Sequence, residues 1–143
     1  MELYIITYIP VLLTGIWAFY KYNKKRKLEN FDLFVKYREK LKTNPANLKI
    51  VRHVQDWQLN PELRSQINER EITINDFYDF LGFYEEISLL YQKKLIPKRF
   101  VKDMFSFYAI QIADNEYYWN LFDENYLTDD DWINYRKLVL RMR

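Results

Sequence analysis

The stretch LYIITYIPVLLTGIWAFY, residues 3–20, decides how the rest of the chain is interpreted. It contains no charged side chain, and the next seven residues, KYNKKRK, carry five positive charges. As an α-helix it is about 27 Å long, close to the roughly 30 Å thickness of a bilayer's hydrocarbon core. Aromatic residues near both ends suit the two headgroup regions. The stretch therefore predicts one transmembrane helix at the N-terminus.

The order of charges sets the orientation of this span. A cleaved signal peptide has its basic segment before the apolar run, whereas here the basic residues follow it and only Glu2 precedes it. A buried core helix is the other alternative, and the length of the apolar run disfavours it. By the positive-inside rule the N-terminus faces outward and the rest of the chain is cytoplasmic, at the inner membrane. The residues expected at the anionic membrane surface are Lys21, Lys24, Lys25, Arg26 and Lys27.

Charge divides the chain into two parts. Residues 1–27 hold five basic residues and one acidic residue, and residues 28–143 hold 17 basic and 19 acidic residues. We expect residues 1–27 to form an anchor with a basic stop and residues 28–143 to form one cytoplasmic domain. Because that domain is slightly acidic, the composition does not favour a nucleic-acid partner.

The composition favours helices. The chain has no cysteine, only 2 glycines and 4 prolines, and 27 aromatic residues among 143. No segment shows sustained alternation of apolar and polar residues, which argues against strands. We predict an all-α fold with about five or six helices beyond the anchor.

Local signals place these helices. The anchor helix is expected to continue through Leu28–Lys42 and to stop at Asn44-Pro45, where Asn44 caps the next helix. That helix is expected to reach about Trp57. Further starts are predicted at Pro61, at a Thr73/Asp76 capping box, at Pro97 and at Thr128, with helix ends at about Glu69 and Lys94 and a break near Asp114–Glu116.

The chain offers little for catalysis. His53 is the only histidine and has no identifiable serine or cysteine partner, so a packed or surface histidine is the better interpretation. The two glycines, Gly15 and Gly82, exclude glycine-rich phosphate and dinucleotide loops. Asp129–Asp131 is interpreted as a helix start rather than a metal site. We predict no catalytic residue, no metal and no cofactor.

Glu85 is the acid that the helical pattern leaves in question. It lies at the margin of the apolar face of its helix, where an unpaired carboxylate is costly. One interpretation is a structural contact with another helix, either a capping bond or an ion pair with Arg52, Arg99 or Arg136. The other is a partly buried acid in a ligand cleft.

Small residues in the anchor suggest helix association. Thr14 and Ala18 are four residues apart and flank Gly15, a spacing that lets two spans approach closely. Self-association of the span is therefore one hypothesis.

The helix DFLGFYEEISLLYQKKLI, residues 79–96, carries a resemblance to a known family. Together with the N-terminal span, the basic stop, a following aromatic-rich helix and Tyr117-Tyr118-Trp119, it resembles small bacterial and phage proteins of the domain of unknown function 4760. The resemblance covers about residues 3–122, although residues 28–69 match nothing in the pattern. It implies a membrane-tethered helical domain, often in mobile-element contexts, and transfers no catalytic residue.

These observations lead to one functional expectation and one alternative. We expect a non-enzymatic helical module at the membrane that binds a protein partner or a second copy of itself. The alternative is a membrane-acting effector in phage defence or phage–host conflict.

Overall fold

The N-terminal helix runs far beyond the predicted span. The computed structural model describes residues 2–60, 62, 72–120 and 132–143, with side chains described from Pro10 onward. Helix α1, Glu2–Thr43, is a single helix of 42 residues. The prediction that the N-terminal segment continues into the next helix without a linker is confirmed.

Helix α2, Pro45–Leu59, begins at the predicted cap. The side-chain oxygen of Asn44 accepts hydrogen bonds from two backbone amides of the first turn, at 2.9 and 3.1 Å. Pro45 occupies a first-turn position, where an amide donor is not needed. The helix ends two residues beyond the predicted end at Trp57. The short helix predicted for residues 61–69 lies outside the described residues, apart from residue 62.

Helix α3, Ile74–Gln92, opens with the predicted capping box. The Thr73 hydroxyl accepts from the Asp76 amide at 3.2 Å, and the Asp76 carboxylate accepts from the Thr73 amide at 2.9 Å. The helix ends at Gln92, short of the predicted end at Lys94. Lys94 has a φ of 56°, the left-handed conformation that commonly follows a helix C-terminus.

One predicted helix after Pro97 is two helices, α4 (Lys98–Met104) and α5 (Ser106–Ala113). At the junction between α4 and α5, side-chain hydroxyl groups donate hydrogen bonds to backbone carbonyls. The Ser106 hydroxyl donates to the Lys102 carbonyl, and the Tyr84 hydroxyl of α3 donates to the Phe105 carbonyl at 3.0 Å. The Phe105 carbonyl also accepts from the Ala109 amide at a long 3.4 Å, so the competing hydroxyl bonds weaken the helical hydrogen bonding where α4 gives way to α5.

Two short helices complete the described chain. The predicted break near Asp114–Glu116 is confirmed, since α5 ends before it and Asn115 caps α6, Glu116–Trp119. Helix α7, Ile133–Met142, forms the C-terminus. The predicted start at Thr128 and the acids Asp129–Asp131 lie outside the described residues.

The core is built around α3, which packs against α2 on one side and α7 on the other. It is rich in aromatic rings that are fully buried, namely Phe77, Phe80, Tyr84, Phe105, Tyr118 and Tyr135. All secondary structure in the described ranges is helical, with six helices after α1, so the prediction of an all-α bundle is confirmed.

Helix α1 joins this core only through its C-terminal part. Leu41 is buried, and Leu33, Phe34 and Tyr37 pack against the core. The Phe34 ring stacks on Phe100 of α4 with centroids 4.5 Å apart. Across the residues for which the structure gives a description, no helix combines the length and the apolar character needed to cross a bilayer.

Candidate functional site

The outer segment of α1, residues 10–22, projects from the bundle with its apolar side chains uncovered. Its eight large apolar residues are each between 58% and 67% exposed, and they cover about two thirds of the helix circumference rather than one narrow stripe. They are Val11, Leu12, Leu13, Ile16, Trp17, Phe19, Tyr20 and Tyr22. Burying a side chain of this kind gains roughly 1.5–3 kcal/mol, so this surface is a strong candidate for contact with an apolar environment.

The small residues of the outer segment are also uncovered. Thr14 and Ala18 are exposed, and a Cβ atom added to Gly15 would meet nothing within 4 Å. The Thr14 hydroxyl donates to the Pro10 carbonyl at 2.7 Å, within the same helix. The structure therefore leaves this face open, and the hypothesis of self-association stays a prediction.

A basic collar follows the outer segment on the same helix. We use this term for Lys21, Lys24, Lys25, Arg26 and Lys27, all of which are exposed. The Lys21 ammonium lies 3.9 Å from the centre of the Trp17 ring, a cation–π contact. The Lys25 ammonium lies 3.8 Å from the Glu29 carboxylate one turn later. The collar thus presents its positive charges directly below the uncovered apolar surface.

A second run of basic residues lies beside the collar. We use the term basic loop for residues 93–99, which run from the end of α3 into the first turn of α4 and contain Lys93, Lys94, Lys98 and Arg99, all exposed. Leu95 of this loop and residues of α1 from Tyr22 to Leu33 line one open cavity of about 630 Å³. Sequence reasoning did not single out this loop, although four basic residues among seven were a readable signal.

Glu85 has a structural partner. Its two carboxylate oxygens accept hydrogen bonds from the Tyr135 amide and from the Asn134 side chain, both at 2.7 Å. Trp132, at the cap position of α7, makes no side-chain capping bond, so Glu85 satisfies the first turn of α7 from another helix. Glu85 is half-buried. The contact is the capping bond of the first interpretation, in which Glu85 binds another helix rather than a ligand. Arg99, one of the candidate ion-pair partners, lies 3.5 Å from Asp103.

His53 is buried among aromatic rings, with 2% of its surface exposed. Its Nδ1 lies 2.6 Å from the Tyr118 hydroxyl, and its ring stacks on Tyr117 with centroids 5.1 Å apart and on Trp57 at 6.1 Å. Burial raises the pKa of the Tyr118 hydroxyl above its ordinary value of 10.0, so this group keeps its proton even in mildly alkaline solution. The contacts match the interpretation of His53 as a packed histidine.

An apolar groove with basic residues at its margin lies between α1, α2 and the α4–α5 pair. Its volume is about 390 Å³. Leu41, Leu48, Val51 and Met104 form its apolar lining, and Arg38, Lys42 and Arg52 are exposed residues that also line it. Sequence reasoning missed this groove because its basic residues come from two helices that only the fold brings together.

Comparisons with known proteins found no match. Neither the protein-family models, nor the curated proteins, nor the solved structures contain a match to this chain. Among the described side chains, no group of three or more histidine, aspartate or glutamate residues is placed to hold a metal ion. The resemblance to the domain of unknown function 4760 stays a prediction from the sequence.

Proposed function

We propose that this chain is a membrane-tethered helical interaction module, with the outer segment of α1 inserted into the inner membrane and the bundle on its cytoplasmic side. The observation that carries this proposal is the exposure of large apolar side chains over about two thirds of the circumference of residues 10–22. A helix that is apolar over most of its surface belongs in an apolar environment, whereas a helix that packs on a bundle needs only one apolar stripe.

The basic collar supports the orientation. Five exposed cations directly follow the apolar surface, and basic residues next to a span remain on the cytoplasmic side. Each is attracted to anionic headgroups by about 1 kcal/mol. The collar therefore favours an N-terminus outside and residues 28–143 inside.

The polar side chains His53, Glu85 and Ser88 make structural hydrogen bonds, which favours a role in binding over catalysis. His53 is engaged with Tyr118, Glu85 caps α7, and the buried Ser88 hydroxyl donates to the Asn134 carbonyl at 2.7 Å. Each of these contacts stabilises the bundle. The apolar groove with Arg38, Lys42 and Arg52 at its margin is the surface that we assign to a protein partner, which its charge predicts to be an acidic segment with apolar side chains.

Alkaline carbonate extraction of membranes from expressing cells tests the tether. The wild-type chain is expected in the pellet, and L13K/I16K, which places two charges in the outer segment, is expected in the supernatant. The matched control is L140K, because Leu140, at 72%, is at least as exposed as Leu13 and Ile16 but lies on α7. Release of the wild-type chain by carbonate would overturn the proposal.

The membrane-acting effector is the rival function, and it rests on the family resemblance and on the Thr14/Ala18 pair. It predicts that expression depolarises the host membrane or blocks phage growth, and that T14L or A18L abolishes the effect. Membrane retention without either phenotype, together with a protein partner recovered by crosslinking and lost in R38E/R52E, would favour the interaction module.

A further inference from the structure

The basic loop has a fixed shape. Ile96 at its centre is buried in the core, with 1% of its surface exposed. The Lys94 amide donates to the Tyr91 carbonyl at 3.0 Å, and the Leu95 amide donates to the Leu90 carbonyl at 2.9 Å. These contacts hold the loop against the end of α3, so its positive charges occupy a defined place on the surface.

The contacts of α4 place this loop next to α1. The ring of Phe100, directly after the loop, stacks on Phe34 at 4.5 Å and meets Phe31 edge-on at 6.3 Å. On the other side of the buried Ile96, Leu95 shares its cavity with Tyr22 and Arg26. These contacts place the loop beside residues 22–34 of α1, the stretch that follows the outer segment.

The charge around the loop is strongly positive. Lys93, Lys94, Lys98 and Arg99 are exposed, and Lys102 follows on α4. Two described acids nearby face basic partners, Asp103 at 3.5 Å from Arg99 and Glu29 at 3.8 Å from Lys25, and Asp32, next to Phe31, is exposed. The loop and the collar together form one positive surface that is built from two separate parts of the chain.

We propose that the basic loop is a second membrane contact, which binds the anionic lipid headgroups of the leaflet that the outer segment enters. The inference rests on the proposed function, because the outer segment brings the loop to the bilayer. From Tyr22 the helix advances about 6 Å to Arg26 and about 18 Å to Phe34, and electrostatic attraction to a charged surface persists over about 8–10 Å at physiological ionic strength. Lys94 directly precedes Leu95, which shares a cavity with Tyr22 and Arg26, so the Leu95 side of the loop lies closest to the leaflet.

A second attachment point would fix the orientation of the bundle relative to the membrane. A bundle held only by α1 rotates freely about the axis of that helix, whereas a bundle also held by the loop keeps one side against the leaflet. The lining of the groove begins at Arg38, about 17 Å along α1 from Lys27 at about 1.5 Å per residue, and the groove stays turned to the cytoplasm. The loop thus orients the partner-binding surface.

Lysine acetylation of the full chain in lipid nanodiscs tests this inference, because both faces of a nanodisc are open to the reagent. Acetylation rates at single lysines are measured by mass spectrometry in discs of phosphatidylcholine alone and of phosphatidylcholine with phosphatidylglycerol. Lys93, Lys94 and Lys98 are expected to react about fivefold more slowly in the anionic discs, and high salt is expected to remove the difference. Lys42, exposed at the far end of α1, is the internal control and is expected to react equally in both.

The outcomes separate this inference from the proposed function. Slower reaction of the loop lysines and of collar lysines Lys24 and Lys27, with Lys42 unchanged, supports the loop contact. Slower reaction of the collar lysines alone, in a chain that elutes with the discs, overturns the loop contact and leaves the tether standing. A chain that does not elute with the discs overturns both.

Discussion

The carboxylate of Glu85 accepts a hydrogen bond from the backbone amide of Tyr135 at 2.7 Å, so a side chain in the middle of α3 caps the first turn of α7. Its other oxygen accepts from the Asn134 side chain at the same distance. The last helix of the chain is thereby fixed to the central helix by a contact between residues fifty positions apart in sequence.

The first prediction concerns this cap. E85Q keeps the shape of the side chain but replaces one acceptor by an amide group that faces a donor, and it removes the charge at the helix N-terminus. We expect a loss of about 1–2 kcal/mol in the free energy of unfolding, measured as a lower Tm by near-ultraviolet circular dichroism. E39Q, at an exposed position of α1, is the control and should melt like the wild type. Unchanged melting of E85Q would instead favour the ligand-cleft interpretation of Glu85.

Features set by neighbouring residues were predictable from the sequence, and features set by distant ones were not. The Asn44-Pro45 start and the Thr73/Asp76 capping box involve residues at most three apart, and the structure contains both. The break at Phe105 was missed because the hydroxyl that shares the Phe105 carbonyl with the Ala109 amide belongs to Tyr84, twenty-one residues earlier. The periodicity of apolar residues gives no information about a hydrogen bond between two such distant residues.

The candidate sites differ in the same way, since some are continuous stretches of sequence and others are assembled by tertiary packing. The outer segment and the collar are continuous stretches, so hydropathy and charge order indicated them directly. For Glu85 the sequence left three possibilities, a capping bond, an ion pair or a ligand cleft, because the cost of burial requires a partner but does not identify it. The groove joins Arg38 of α1 to Arg52 of α2, and only tertiary packing places these residues at one cavity.

The second prediction concerns the buried contact between His53 and Tyr118. Y118F removes the hydroxyl that lies 2.6 Å from His53 Nδ1 and leaves a buried imidazole nitrogen without this bond. We expect a loss of about 1–3 kcal/mol in the free energy of unfolding. The matched control is Y108F, which loses an exposed hydrogen bond from Gln55 at 2.8 Å and should cost less. Equal destabilisation by the two variants would contradict the structural role of the His53 contact.

The third prediction concerns acid sensitivity at the start of α3. Partial burial alone would raise the pKa of Asp76, but hydrogen bonds from Lys49 and from Thr73 outweigh it and hold the pKa below its ordinary value of 3.8. A lowered pKa in the folded state contributes stability that is present above pH 3.8 and is lost as the pH falls through the folded value.

D76N should therefore lower the free energy of unfolding by about 1 kcal/mol at neutral pH, where the carboxylate serves both the capping box and Lys49. Urea unfolding of both chains in steps from neutral pH to below the ordinary pKa measures the difference. The gap should narrow as Asp76 of the wild type takes up its proton. A gap that is constant with pH would show that the cap and not the charge accounts for the loss.

The fourth prediction concerns alkaline unfolding, and it follows from the buried tyrosines. Burial is the main cause that raises the pKa of Tyr84 well above the ordinary value of 10.0, with smaller contributions from Tyr135 and Tyr108. Below pH 10.0 the hydroxyl is protonated in both the folded and the unfolded chain, so Tyr84 contributes no pH dependence. Above it the unfolded chain loses the proton while the folded chain keeps it, and stability falls by up to about 1.4 kcal/mol per pH unit.

Y84F removes this ionisation together with the hydrogen bond to the Phe105 carbonyl. At about pH 8 the variant should be less stable than the wild type by about 1 kcal/mol, because one buried hydrogen bond is lost. As the pH rises past 10, ionisation of Tyr84 in the unfolded chain lowers the stability of the wild type but not of Y84F. The gap should therefore close and then reverse by about pH 11. Lysines titrate equally in both chains, and their effect cancels in the difference. Urea unfolding at the two pH values measures the gap, and a gap that keeps its size and sign would place the Tyr84 hydroxyl in contact with water rather than in the core.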